Sequence, residues 1–188
     1  MNNIVLWVSL GVLAVFYLIY VSLIRKRNQL EESASGIDIQ LKKRYDLIPN
    51  LMKTAAKYME HEKSMMEEIA RLRSEAMNVN FNAEPAKKIE LENLLTTRMN
   101  DFKLTAENYP DMKSNEAVNT AMQSLNEVEE HIAAARRFYN ANVKALKDAV
   151  EIFPSSLVAK IIGIKLSMPF FQAEEAAKKS LDANEYFK

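Results

Sequence analysis

No cysteine occurs among the 188 residues, glycine appears three times, proline five times and histidine twice. Without cysteine there is no thiolate nucleophile, zinc knuckle, disulfide or acylation site for a lipoprotein, and the redox compartment is left undetermined. Few glycines and prolines mean few obligatory turns, which suits long helices with little loop. The glycines, at positions 11, 36 and 163, lie too far apart to cradle a phosphate. The 25 basic and 25 acidic residues cancel, which argues against nucleic acid, because phosphate binding needs a net basic face.

The scarcity of histidine settles the metal motifs. A helical di-iron site needs a glutamate three residues before each histidine, but Tyr58 precedes His61 and Val128 precedes His131 at that spacing. His61-Glu62 begins a zinc-protease motif that Met65 fails to complete. Both histidines read as solvated or capping residues. No Gly-x-Ser-x-Gly nucleophile elbow is present. The acidic pairs Glu31-Glu32, Glu67-Glu68 and Glu129-Glu130 are sequence neighbours, which point about 100° apart on a helix and read as solvated faces. We therefore expect no catalytic residue, cofactor, metal or small-molecule substrate, and a protein that is not an enzyme.

One long stretch does stand out. Ile4 to Ile24 holds twenty-one residues without a charge, and Arg25, Lys26 and Arg27 follow directly. About 20 apolar residues at 1.5 Å rise cross the ~30 Å hydrocarbon core of a bilayer. A cleaved signal peptide would need a basic start and a shorter apolar core; Met1-Asn2-Asn3 carries no basic side chain. A core helix could be as apolar, but nothing else in the chain is hydrophobic enough to surround it. Trp7, Tyr17 and Tyr20 suit the interfaces, and Arg25–Arg27 should stay cytoplasmic, with the amino terminus outside.

Beyond the anchor, a seam of spacing four and three runs Leu30, Ala34, Ile37, Leu41, Arg44, Ile48, Leu51, Ala55, Tyr58, Glu62, Met65, Ile69, Leu72, Ala76. A 3.5-residue repeat of this kind is a coiled-coil-like packing face. Pro49 interrupts it, either as a bend in one continuous rod to about Asn78 or as the first turn of a helix after a reversal near Asp46. The seam keeps its phase, which favours the rod. Asn78–Glu84 reads as a loop and Pro85 as the start of the next helix, which carries Leu91, Leu95, Arg98, Phe102 and Tyr109 on one face. Ser114 or Asn115 caps a third helix with a seam through Val118, Leu125, Val128, Ile132, Tyr139, Asn142 and Leu146. Asn142 can be a buried register residue there, or lie on the surface if the seam drifts. Ser155 or Ser156 can start a short helix that Gly163 ends. The apolar tail Leu166–Phe171 either covers the bundle's open end or dips into a membrane beside Lys160 and Lys165.

The expected organisation is an anchor with basic flank (1–27), a bundle (28–171; helices 28–78, 84–109, 114–153 and 155–163) and a polar tail (172–188). The fold class is all-α, an N-terminal transmembrane helix followed by a long-helix antiparallel bundle of three to four helices. A hairpin around Asn80 would bring Glu62 level with Arg98, each the odd charge on its stripe, so a buried Glu62–Arg98 pair is expected.

The stretch from Ile37 to Leu51, Ile-Asp-Ile-Gln-Leu-Lys-Lys-Arg-Tyr-Asp-Leu-Ile-Pro-Asn-Leu, followed by Tyr58 and His61-Glu62, resembles the signature of the LemA family. So do Tyr109-Pro110-Asp111-Met112-Lys113, Ala135-Arg136-Arg137-Phe138-Tyr139-Asn140, Phe153-Pro154-Ser155 and Pro169-Phe170-Phe171, in order along nearly the whole chain. Met112 departs from the leucine more usual in the family. The resemblance implies a bacterial single-span membrane protein with a helical domain and no established catalytic activity, some relatives being associated with magnetosome membranes. It carries over Asp38, Arg44, Asp46, Pro49, Asn50, Arg136, Arg137, Tyr139 and Asn140 as structural positions. One arrangement for them is an Arg–carboxylate network of Arg44 and Asp46 with Arg136 or Arg137 and Asn140, holding the bend at Pro49; the other is plain solvation.

The function expected is a membrane-anchored scaffold in the bacterial inner membrane, or a compartment membrane derived from it, such as the magnetosome. Its lipid contact is Ile4–Ile24, and its partners are other proteins or copies of itself. The alternative is a lipid-surface-binding or membrane-remodelling protein, motivated by Arg25–Arg27, Lys42-Lys43-Arg44 and the apolar tail.

Overall fold

The structure, a computed structural model, describes residues 2–164 and 168–171. Lys165 and Leu166, and with them the polar tail 172–188, lie outside the described residues. All regular structure among the described residues is helical: α1 (Asn2–Ala55), α2 (Lys63–Asn78), α3 (Pro85–Ala106), the single turn α4 (Pro110–Lys113), α5 (Glu116–Glu151) and α6 (Ser155–Ile162). The expected all-α bundle behind an apolar first helix is what forms.

α1 is one helix of 54 residues, about 80 Å long at 1.5 Å per residue. Its seam is buried from Leu30 through Ala34, Ile37, Leu41, Arg44, Ile48 and Leu51 to Ala55, so the heptad pattern does mark the packing face. The long partner in that packing is α5, which returns antiparallel along α1: Asn115 at its start meets Tyr58, Glu129 meets Arg44, and Ala149 and Val150 reach Leu23. Asn115 is the N-cap, its Oδ1 accepting from the Val118 N–H at 3.1 Å. Late in α5 the buried positions move to Val143 and Leu146, while Asn142 turns outward and donates to the Phe138 carbonyl. A 3.6-residue helix drifts by about 20° per heptad against a 3.5 repeat, which is the drift seen here.

Pro49 neither reverses nor ends α1; the chain turns back further on, at 56–62. The rod expected to reach Asn78 therefore stops at Ala55. Tyr58 and Met59 donate to the Ala55 carbonyl, a short 3₁₀ turn Glu60–Glu62 follows, and α2 begins at Lys63. No glycine or proline marks the break. Met59 leaves helical geometry (φ −118°, ψ 50°) because its side chain, fully buried, plugs the distal end of the core. The seam keeps its phase across the turn because α1 and α2 face the same core, so phase was no evidence for continuity.

Pro49 has another consequence. A helical proline donates no hydrogen bond to the carbonyl four residues back, here Tyr45. Arg73 of α2 supplies that donor, its Nε lying 2.6 Å from the Tyr45 oxygen. The α2–α3 hairpin then turns through an Asn80 side chain that accepts from the Asn82 and Ala83 N–H groups, and Pro85 opens α3. At the other end, Gly163 (φ 73°) closes α6 with the Ile164 N–H on the Ala159 carbonyl and the Gly163 N–H on the Lys160 carbonyl, the Schellman pattern that needs a left-handed residue.

Replacing Arg73 by alanine removes the charged donor and leaves the Tyr45 carbonyl unpaired, a loss of about 1.5–3 kcal/mol. In a Pro49→Ala background the backbone N–H competes for that carbonyl, so the same replacement should cost measurably less. Urea denaturation of the four variants in detergent checks it; additive effects would break the link between Pro49 and Arg73.

Candidate functional site

Among the described residues, charge is taken fully out of water at the level of Arg44. Its side chain is wholly buried on the α1 seam. One terminal nitrogen donates to Glu92 of α3; the other donates to Thr96 Oγ1 (2.9 Å) and to Glu129 of α5 (3.1 Å). The second oxygen of Glu92 accepts from the Tyr45 hydroxyl, with the Lys88 Nζ at 3.8 Å. Lys88 is itself buried, donates to the Ala76 carbonyl near the end of α2 at 2.7 Å, and sits over the Tyr45 ring. Burial alone would lower the Arg44 pKa; Glu92 and Glu129 outweigh it and hold it above the ordinary value. The Tyr45 phenol is pushed well up, first by burial and then by Glu92 beside it.

Asp38, Tyr45, Lys88, Phe81 and Lys42 edge a groove of about 440 Å³ beside this cluster. The Asp38 carboxyl is raised by its partial burial, with Lys88 acting against the shift and Glu92 with it. Here Asp38 and Arg44 occupy neighbouring ground, as two of the residues that the sequence singled out.

A second cluster binds the end of the described chain. The Asn140 amide pairs both ways with the Phe171 backbone, Nδ2 to O and N to Oδ1, each at 2.9 Å. The Tyr139 hydroxyl donates to the Pro169 carbonyl at 3.0 Å, and burial pushes its pKa up to about 12. Phe171 is buried against Phe81 and Tyr139 and beneath the Arg136 guanidinium. Phe171 therefore covers the bundle beside the α2–α3 loop, while Phe170 next to it is exposed and Leu166 lies outside the described residues.

Several expected contacts do not form. Glu62 and Arg98 are not paired: Arg98 is half exposed and binds Glu68 (3.1 Å) and Asp101, while Glu62 accepts from the Tyr109 hydroxyl (3.4 Å). The hairpin turns around Asn82 and Ala83 rather than Asn80, which sets Glu68 opposite Arg98. Asp46, Pro49, Asn50 and Arg137 are exposed, so the Arg44 network closes through Glu92 and Glu129, not through Asp46, Arg136, Arg137 or Asn140. Glu129, read as part of a solvated pair, is only 20 % exposed. The missed residue with the clearest signal is Glu92. It lies on a strict seam of Lys88, Glu92, Leu95, Met99, Phe102 and Ala106, of which every member is buried, whereas the stripe through Leu91 and Arg98 runs one position off. Both histidines are exposed, His131 lying 3.9 Å from Glu127.

What these two clusters can do chemically is hold helices and a tail in place. The geometry defines a helical bundle locked by a buried ion-pair network and built on an apolar N-terminal helix long enough to cross a membrane. A LemA family profile matches residues 33–183, and the chain belongs to the LemA family. It is 23 % identical over 177 residues to Protein LemA of Metamycoplasma hominis, covering 92 % of this chain and 80 % of that one. The LemA family is not a known enzyme family.

Arg44→Met strands the buried Glu92 carboxylate and the part-buried Glu129 and should destabilise by about 3–5 kcal/mol; adding Glu92→Leu should recover part of the loss, since an apolar pair of similar volume avoids desolvation. Equilibrium urea unfolding reads both, and a double variant as weak as the sum of its single changes would mean that the pair is not coupled. Alkaline pH gives a second check. Tyr45 and Tyr139 are raised above the ordinary 10.0, so their stabilisation is whole below pH 10 and is lost as pH rises through the folded values. Tyr139→Phe should flatten the fall in stability between about pH 10 and 12, followed by denaturation at fixed pH with tyrosinate absorbance.

Proposed function

We propose that the protein is a membrane-anchored helical scaffold that binds other proteins or copies of itself and performs no catalysis. The observation that carries this reading is the continuity of α1. The uncharged stretch Ile4–Ile24 and the buried seam from Leu30 to Ala55 belong to one unbroken helix, so the element that enters the bilayer is also the core strut of the bundle. The buried charges of the Arg44 cluster are engaged with one another, as a structural network requires. Exposed apolar side chains at Leu94, Leu104 and Phe138 leave the outer faces something to bind with. The magnetosome association of some relatives rests on no residue of this chain and forms no part of the reading.

The membrane is the bacterial inner membrane or one derived from it, with the amino terminus outside and the bundle in the cytoplasm, because Arg25–Arg27 resist translocation. Contact with the lipid surface is the second reading, favoured by the exposed apolar face of α6.

Since the chain lacks cysteine, single-cysteine variants report topology cleanly. An impermeant maleimide should label Asn3→Cys in intact cells and Thr97→Cys only after lysis; the reverse pattern inverts the orientation. A photoreactive side chain at Leu104 or Phe138 should give discrete protein adducts in native membranes. Adducts to lipid alone would sink the scaffold reading.

A further inference from the structure

The membrane end of the bundle is built differently from the rest. α6 follows α5 directly and packs Val158 and Ala159 onto Leu23 of α1, with Ile19, Ala149 and Val150 alongside. Leu23 is 1 % exposed, the only fully covered side chain of the uncharged stretch, while every residue from Asn3 to Leu18 is exposed. The opposite face of α6 and the turn before it are also apolar, yet none of the described residues covers them: Phe153 is 77 % exposed, Ile161 65 %, Ile152 59 % and Leu157 57 %. Leu157 and Ile161 lie four residues apart on one face of α6, and Phe153 stands in the turn just before it. A helix apolar on both faces belongs in an apolar environment on both sides.

The depth of α6 follows from the anchor. About 20 residues of α1 are needed to cross the hydrocarbon core, which from Ile4 reaches Leu23. A helix seated on Ile19 and Leu23 therefore lies at the boundary of that core. Its polar neighbours agree with the placement. Arg25 and Lys26 follow within a turn of Leu23, and Lys160 projects from α6 itself, where long cationic side chains reach headgroups. A groove of about 410 Å³ between α1, α5 and α6 has Ile19, Leu23 and Ile152 as apolar walls, with Lys26 and Asp148 in its polar lining.

We propose that α6 is an interfacial helix, its Leu157–Ile161 face and the preceding Phe153 embedded in the headgroup boundary of the same leaflet from which α1 emerges. The bundle is then held to the membrane at two points, the span and this foot, which fixes its rotation about the α1 axis as well as its height. The proposal rests on the reading of Ile4–Ile24 as a membrane span. The occupant of the exposed face is lipid rather than protein, because its place is set by contact with the uncharged stretch of α1 and the exposed Lys160 stands beside it on α6.

The test uses the full chain in vesicles of phosphatidylcholine and phosphatidylglycerol, with an environment-sensitive fluorophore on Leu13→Cys, Leu157→Cys, Ile161→Cys or Leu104→Cys and spin-labelled lipids as quenchers. Labels at Leu157 and Ile161 should emit at shorter wavelength than the Leu104 label and lose most of their emission to lipids labelled near the headgroup, and less to lipids labelled deep in the chain. Leu13 should show the opposite order of depth. If Leu13 is quenched while Leu157 emits as in water, α6 stands clear of the membrane and the proposal fails with the span intact. If Leu157 is shielded but no lipid quenches it, a second copy or another protein covers the face, and the proposal again fails. If Leu13 itself escapes quenching, the span reading is what has failed.

Discussion

A guanidinium without access to water sits where α1, α3 and α5 meet, and the alignment of the bundle depends on it. Arg44 can be buried only while Glu92 and Glu129 face it, because an unpaired ion in that position is far more costly than a missing apolar contact. Sliding any of the three helices by one turn would carry its partner about 5.4 Å away and leave the charge stranded. Apolar seams alone tolerate such slips, since Leu, Ile and Ala positions recur every half heptad. The network thus selects one register among several that the hydrophobic pattern would accept, and Lys88 extends the selection to α2 through the Ala76 carbonyl.

Elements were legible where a single local rule governs them. Leu30 to Ala55 obeys a strict repeat, and all eight of its seam positions are buried. Asn115, Pro85 and Gly163 each do the capping or starting task that their chemistry suits. What sequence could not reveal depended on long-range matching. The reversal after Ala55 has no breaker residue; it exists because Met59 fills the end of a core that three other segments create. On α3 the seam through Glu92 competes with a stripe through Arg98 that shares Leu95 and Phe102, so the helix offers two candidate buried charges. Arg44 decides between them, because a buried cation selects the acidic one.

Pro49 illustrates how a local defect becomes a tertiary connection. It sits on the exposed side of α1 and costs the helix one backbone hydrogen bond. The carbonyl that it frees belongs to Tyr45, next to Arg44, and Arg73 takes it up. The short motif from Arg44 to Pro49 therefore sets out contacts for three other helices: an ion pair for α3 and α5, a phenol for Glu92, and an open acceptor for α2. A motif that first looks like a bend is better understood as a docking edge.

The unbroken path of α1 has a mechanical corollary. From Arg27 to Ala55 α1 runs on for 28 residues, about 42 Å of helix at 1.5 Å each. Spans too long for the bilayer around them tilt, on average by about 20°, and a stiff arm of that length would swing its far end sideways by roughly 15 Å. Because α1 is unbroken from Asn2 to Ala55, a tilt of its apolar stretch in a bilayer would carry straight through to the distal turn as a sideways displacement.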